Sequence, residues 1–427
     1  MINEEYPTVH IEGEGHGSEK ELRSDIKRNT LLLVGNNIVF WCIAQIILVV
    51  SPIVILDSTG SLALGGLATA LVLSGDMLTN YHAGKLADII GRKKTLLIGT
   101  AVGIVGLLAM AASRLLFEDL WYWIGLVIFS FSTGILVLNR AAIMDMYPRK
   151  RGLSLGFLNT GSFVGSFLAP ILISGMTALA ILIGKNYYDL LIFACLPLLA
   201  LAGFLLMLIR KDTQLIAQIL DDSKPQPETK EHPLKKDPWV LGAHGKRDLA
   251  LAFIISSLSV GGVAIAYSLC PMFLHILDTE IGLISFSVAL ISVGTAGLSM
   301  VLGKLADKFG RKRIVILGAT IMGAGLFILP LAQNYIIISA ANFLTGLGAG
   351  AIAIASTAFI CDIVAPKNRG KVFGANSFVI NIPTLVLPPL AATLVAISGP
   401  LAVSILGIAI AVVVTLSMIS ISRKAIL

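Results

Sequence analysis

Charge is scarce in this chain. Asp, Glu, Lys and Arg make up 13% of its 427 residues, where a soluble domain carries roughly a quarter. A soluble protein this poor in charge has too little of it to cover a surface, so lipid is the solvent for most of the chain. Cysteine is equally sparse. Cys42, Cys195, Cys270 and Cys361 lie far apart in apolar stretches with no CxxC pair, which excludes a thiol metal knuckle and reads as small buried side chains. The sequence also lacks zinc-ligand spacing, basic–aromatic interleaving, a P-loop, a His/Glu metal cluster, a Ser/His pattern and paired intramembrane carboxylates. These absences argue against a nucleic-acid partner, a metal, a cofactor and an enzyme. The first 28 residues hold Glu4, Glu5, Glu12, Glu14 and Glu19 without an apolar core, so a polar cytoplasmic tail is expected there and not a signal peptide.

What the chain has is apolar length. Hydrophobic residues reach 56% and the mean hydropathy is +0.88. A bilayer core needs about 20 apolar residues per helix. That predicts spans near 30–55, 62–84, 94–113, 121–146, 153–183 and 190–209, then 250–275, 283–302, 314–332, 336–363, 372–397 and 400–421. The fold class is an all-α membrane protein of twelve transmembrane helices in two six-helix halves. The organisation is a tail over 1–28, a first half over 29–210, a cytoplasmic linker over 211–248 and a second half over 249–427. The linker is rich in Pro and charge, with a short amphipathic helix expected near Gln214–Leu220.

The net charge of +7 is distributed by face. With the tail inside, 29 of the 32 Lys and Arg residues fall on one side and only Arg114 and Lys185 on the other, with Arg140 inside a span. This asymmetry predicts a multi-pass protein of the plasma membrane with both termini cytoplasmic. It accounts for the basic balance without nucleic acid.

The chain repeats itself. Residues 84–93 read GKLADIIGRK and 303–312 read GKLADKFGRK, eight of ten identical at an offset of 219. Pro52 and Pro271 share that offset, and Asp145 is echoed by Asp362 at 217. Six spans per copy give both halves the same orientation, with a site expected between them near mid-membrane. Glycine allows close approach at a tight turn. Asp88 is placed to sit near a helix N-terminus, and Arg92 to pair with Asp145. Arg311 and Asp362 would repeat that pair. The alternatives are latches that break during a conformational cycle and simple loop anchors.

These two copies, Gly84, Asp88, Gly91 and Arg92 with Gly303, Asp307, Gly310 and Arg311, resemble the loop signature of the major facilitator superfamily. The resemblance covers nearly the whole chain and looks nearest to the drug and metabolite proton antiporters. It implies a secondary transporter working by alternating access, and a chain without an ATP site draws on a gradient for its energy. Export of a small organic or amphipathic compound coupled to protons leads. Proton-coupled uptake of a small metabolite is the alternative, and a non-transporting receptor is the remote one. The partners implied are a small-molecule substrate, a coupling ion and the bilayer, and one chain holding both halves can work as a monomer. Asn342 stands where the exporters carry arginine in span 10, and the contiguous Gly-Pro of span 5 is missing.

Asp76 lies near the middle of span 2, where a charge is costly and functional by default. It is the candidate proton carrier, with Arg140 either its coupling partner or its structural one. Asn37, Trp41 and Gln45 form one polar face on span 1, Asn342 and Thr357 mark span 10, and Ser377 and Asn381 mark span 11. Each stripe either lines a substrate cavity or bonds a neighbouring helix.

Overall fold

The computed structural model describes residues 16–116, 118–136, 138–147, 151–184, 186–222, 245–297, 299–364 and 369–421. Apolar runs of this length leave the backbone no alternative to helix, because each polar group must be satisfied within its own segment. The described chain is accordingly helical almost throughout. The first half holds α1 (His16–Thr59), α2 (Leu62–Ile90), α3 (Arg92–Leu116), α4 (Asp119–Leu136), α5 (Leu138–Met146), α6 (Arg151–Ile183) and α7 (Tyr187–Met207). A short α8 (Thr213–Asp222) follows. The second half holds α9 (Gly245–Ile276), α10 (Ile281–Ser292), a π turn (Val293–Gly297), α11 (Ser299–Phe309) and α12 (Arg311–Ile328). It closes with a 3₁₀ turn (Leu329–Leu331), α13 (Tyr335–Ile363), α14 (Arg369–Ser398) and α15 (Pro400–Ser420). Among the described residues, eleven helical stretches are long and apolar enough to cross a membrane, and a shorter apolar helix, Leu62–Gly75 at the start of α2, stands where the twelfth span is expected. Span 4 is α4 with α5, and span 8 is α10, the π turn and α11.

Side-chain caps set several helix starts. Ser61, Asn186 and Asn334 accept backbone N–H groups of the first turns of α2, α7 and α13, satisfying donors that have no helical partner. Two boundaries differ from the sequence reading. Helix α1 begins at His16, inside the expected tail, because Leu22 and Ile26, four apart, bury one face of its first turns. Helix α9 begins at Gly245, inside the expected linker. Linker residues 223–244 lie outside the described residues.

The apolar surface is inverted relative to a soluble protein. Leu182, Ile181, Ile397 and Leu115 stand exposed, as lipid-facing side chains must. Packing inside each half relies on small residues. A Cβ on Gly125 of α4 would lie 2.5 Å from the carbonyl oxygen of Gly106 on α3, and one on Gly348 of α13 would lie 2.4 Å from that of Gly318 on α12. Such pairs let membrane helices touch backbone to backbone.

The halves meet through α2 with α14, α6 with α10, and α1 with α9. The end carrying the two motif loops is here termed the basic face, and the opposite end the far face. A Cβ on Gly66 would meet the carbonyl of Pro388 at 2.8 Å and Ala392 at 3.0 Å, one on Gly65 would meet Met272 at 2.6 Å, and one on Gly282 would meet Ser174. All of these cross-half approaches lie in the far-face half of their helices. On the basic-face half of the spans, Arg140, Asn159, Thr160, Thr357 and Ser377 are exposed. They stand roughly 9–14 Å in from their helix ends at 1.5 Å per residue. Polar side chains at that depth face protein or a water-filled opening.

Candidate functional site

The motif loops share one construction. Gly91 joins α2 to α3 at φ +94° and Gly310 joins α11 to α12 at φ +86°. A Cβ is strained in that backbone region, so glycine is required at the turn itself. On the first turn of α3, Arg92 Nε donates to Asp145 Oδ2 at 2.7 Å. In the second half Arg311 pairs with Asp362 and also donates to the carbonyl of Ala358 at 2.7 Å. Each pair lies within one half, so neither bridges the two.

Lysine completes both loops. Lys93 Nζ donates to the carbonyls of Met207 and Ile209 at 2.9 and 2.5 Å, and Lys312 Nζ to that of Ile419 at 3.0 Å. Each ammonium thus sits on the C-terminal end of the last span of its half, where carbonyls lack helical partners.

Two expectations about the loops are corrected. Gly84 and Gly303 lie inside α2 and α11; a Cβ on Gly84 would meet nothing within 4 Å and one on Gly303 would touch Ile354 at 4.0 Å, so neither mediates a close backbone approach here. Asp88 does not reach the N-terminus of α3. The inward face of α2 carries Ala83 and Ala87, and the next residue is rotated about 100° away, which leaves Asp88 exposed. The carboxylate at that N-terminus belongs to Asp212, which accepts from the backbone N–H groups of Arg92 at 3.3 Å and Lys93 at 2.9 Å. The side chain of Asp307 lies outside the described residues.

At mid-membrane, α2 and α4 run in the same direction in contact. A Cβ on Gly75 would fall 2.0 Å from the Ser130 carbonyl oxygen. Asp76 is the next residue on α2; its side chain lies outside the described residues. Arg140 is ten residues beyond Ser130, level with Lys85, and hence about 14 Å nearer the basic face than Asp76. The backbone therefore does not set the two side by side. On the other flank α14 runs antiparallel to α2. Counting from the Gly66–Pro388 contact, Asp76 is level with Ser377, Phe378 and Asn381. Its counterpart in the repeat, Thr295, falls in the π turn.

The polar stripes separate into two groups. Asn37 is buried, and its amide donates to the Leu158 carbonyl at 2.9 Å and to Ser162 Oγ at 2.7 Å. It fastens α1 to α6. Asn342 is fully buried, donating to Cys270 Sγ, Ser287 Oγ and the Ser287 carbonyl at 2.8, 3.0 and 3.2 Å. Asn381 is buried and bonds the Ser377 carbonyl of its own helix at 3.0 Å. Gln45 is fully buried, and neither amide atom has a protein partner. None of these four lines an opening in this state. Trp41 is half-buried, edge-on to Phe40, while Thr357 and Ser377 are exposed.

Sequence reasoning missed a cross-half contact. Asp57 at the end of α1 meets His275 Nε2 of α9 at 2.8 Å on the far face, and accepts the Tyr188 hydroxyl at 3.2 Å. Asp57 reads as a loop acid until α9 brings His275 to it.

Two six-helix repeats, matched loop braces and a carboxylate-bearing residue at mid-membrane define a membrane transporter. A model of the Major Facilitator Superfamily matches residues 33–267 and again 249–425, and the chain belongs to that family. YdeG of Bacillus subtilis (strain 168), an uncharacterized MFS-type transporter, is 22% identical over 396 residues, 91% of each chain. Multidrug resistance protein 1 of the same organism is 25% identical over 148 residues, 34% of this chain and 37% of that one. Multidrug resistance protein MdtL of Escherichia coli (strain K12 / DH10B) is 34% identical over 111 residues, 26% of this chain and 27% of that one. Among solved structures, a D-xylose-proton symporter matches with TM-score 0.74 and 17% identity, over 94% of this chain and 98% of that one. The E. coli xylose transporter XylE in a partially occluded inward open conformation matches with TM-score 0.69 and 14% identity, over 92% and 97%. At such identity the likeness is one of fold.

Proposed function

We propose that this protein is a secondary active transporter that works by alternating access and exports a small organic or amphipathic compound in exchange for protons. The basic face is the cytoplasmic one by the positive-inside rule, with both termini inside and the chain in the plasma membrane. The state described is then closed to the outside and open to the cytoplasm. The observation that carries this reading is the confinement of the named cross-half approaches to the far face, while polar residues stand exposed at depth on the other side. Substrate would enter between the halves, past Thr357, Ser377 and Trp41. One chain supplies both halves, so a monomer suffices.

Asp76 is the coupling candidate. A carboxylate at mid-bilayer costs several kcal/mol unless hydrated, paired or protonated, so its proton occupancy is tied to which face has access to it. Partial likeness to multidrug resistance proteins favours export over uptake.

The test is solute flux in proteoliposomes. With an acidic lumen, wild-type protein in the everted orientation should accumulate a fluorescent lipophilic cation. Asp76→Asn should bind the cation but accumulate none. Accumulation only under the opposite gradient would assign symport. Full gradient-driven accumulation by a folded Asp76→Asn variant would remove Asp76 from coupling.

A further inference from the structure

Asp212 follows the turn that ends span 6, and its carboxylate accepts three backbone N–H groups. They are Arg92 at 3.3 Å, Lys93 at 2.9 Å and Gln214 at 3.0 Å. One side chain therefore caps two helices, α3 and α8, whose first-turn donors have no partners inside their own helices. Its negative charge also suits both helix N-termini. Gly91 makes room for it. A Cβ there would stand 2.6 Å from Asp212 Oδ2 and 3.2 Å from its Cγ. At Gly310, with the same backbone conformation, nothing lies within 4 Å.

The segment carrying Asp212 is itself held. Arg28 donates to the Leu208 carbonyl at 2.9 Å and Asn29 to that of Lys211 at 3.2 Å. Lys211 and Arg210 flank the buried Asp25 at 3.5 and 4.0 Å. Beyond Asp212, α8 lays Ile216 into a cluster with Ala142, Ile143 and Met146 of α5. That helix also carries Asp145, the partner of Arg92. The contacts close a circuit from Asp212 to the Arg92 backbone, through the guanidinium to Asp145 on α5, and through α5 to α8 and back.

We propose that Asp212 is a positioning residue for the first motif loop, fixing the backbone from which Arg92 reaches Asp145 and tying the linker helix to that gate. The proposal rests on the reading of the loop as part of the transport cycle. Asp212 touches no substrate. It acts through Arg92, and the circuit makes α8 part of what must move, or hold, when the first half changes state.

The experiment uses the full-length chain in lipid, comparing wild type with Asp212→Ala, Asp212→Asn, Gly91→Ala and Gly310→Ala. Amide hydrogen exchange is read by peptide, and transport turnover per folded protein is read beside KM. Asp212→Ala should speed exchange about tenfold in the first turns of α3 and α8, the change expected for a lost cap. Exchange should also rise in α5 and stay unchanged in the first turn of α12. Turnover should fall about as far with KM within about twofold, as for an interaction felt only along the cycle. Asp212→Asn keeps an acceptor oxygen and should recover most of both. Gly91→Ala combines backbone strain with eviction of the carboxylate and should resemble Asp212→Ala. Gly310→Ala carries the strain alone and should not change exchange in α3.

Unchanged exchange at α3 and α5 in Asp212→Ala overturns the proposal. So does full turnover per folded molecule in a wild type that transports. If wild type moves no solute, the transporter reading fails, and the exchange pattern alone decides whether Asp212 positions the loop.

Discussion

Asp57 and His275 meet at 2.8 Å across the boundary between the two halves, and the Tyr188 hydroxyl holds the second oxygen of the same carboxylate at 3.2 Å. The motif pairs Arg92–Asp145 and Arg311–Asp362 each stay within a half. Of these three contacts, the one that joins the halves is therefore on the face away from the motifs. Both side chains are partly exposed, so the contact is worth at most about 1 kcal/mol. That is still enough to shift a balanced two-state equilibrium about fivefold.

His275→Ala or Asp57→Asn should move the population toward the state open at the far face. A single cysteine at Ala392, buried against Gly66 across the seam, reports it. Its reaction with an impermeant thiol reagent should quicken in either variant. An unchanged rate in both would show that packing alone closes this face.

Asp76 and Arg140 should behave as independent sites. They are set about 14 Å apart along the bundle, so thermal stabilities of Asp76→Asn, Arg140→Gln and the double variant should add within about 0.5 kcal/mol. A coupling above about 1 kcal/mol, with the double variant recovering stability lost by a single one, would restore the structural pair.

The two motif braces should differ in strength. Asp145 is 21% exposed and Asp362 is 45% exposed, so solvent screens the second pair more. Asp145→Asn should lower stability in detergent melts by about 1–2 kcal/mol and Asp362→Asn by less than about 1 kcal/mol. An equal or larger loss at Asp362 would mean that exposure does not rank the pairs.

Gln45 offers a test of hidden polarity. Its amide is fully buried without a protein partner, a condition that costs about 1–3 kcal/mol. Gln45→Leu, close in volume, should raise the melting temperature of this state. It should slow transport if the amide finds its partner only when the far face opens. A fall in melting temperature of similar size would show that the amide is satisfied here by water.

Span number and the repeat were legible in the sequence because the bilayer imposes a length, and because Gly91 and Gly310 answer a backbone demand that no other residue meets cheaply. Arg92 and Asp145 were legible because opposite charges at one membrane face, at the ends of adjacent spans, have few other partners. Asn37, Gln45, Asn342 and Asn381 were not. A polar side chain in a span reads the same whether it bonds the next helix or faces water, and only the rotation of the helix decides. Asp212 sits in a charged, polar stretch where one carboxylate looks like the next. Nothing local in Val293–Gly297 distinguishes a π turn from an α turn.

That π turn changes how the duplication is understood. Span 8, from Ile281 to Phe309, is the same length as span 2, from Leu62 to Ile90. The two copies thus diverged at mid-membrane by winding, without gain or loss of a residue. Thr295 sits in the loosened turn where the first copy has Asp76 in an unbroken helix. Rewinding a π turn as α swings everything beyond it by about one residue's angle, roughly 100°. Span 8 therefore has a wrist. A change of pitch at Val293–Gly297 would re-aim Gly303 and the rest of the second loop around the helix axis, with no hinge and no broken strand of backbone.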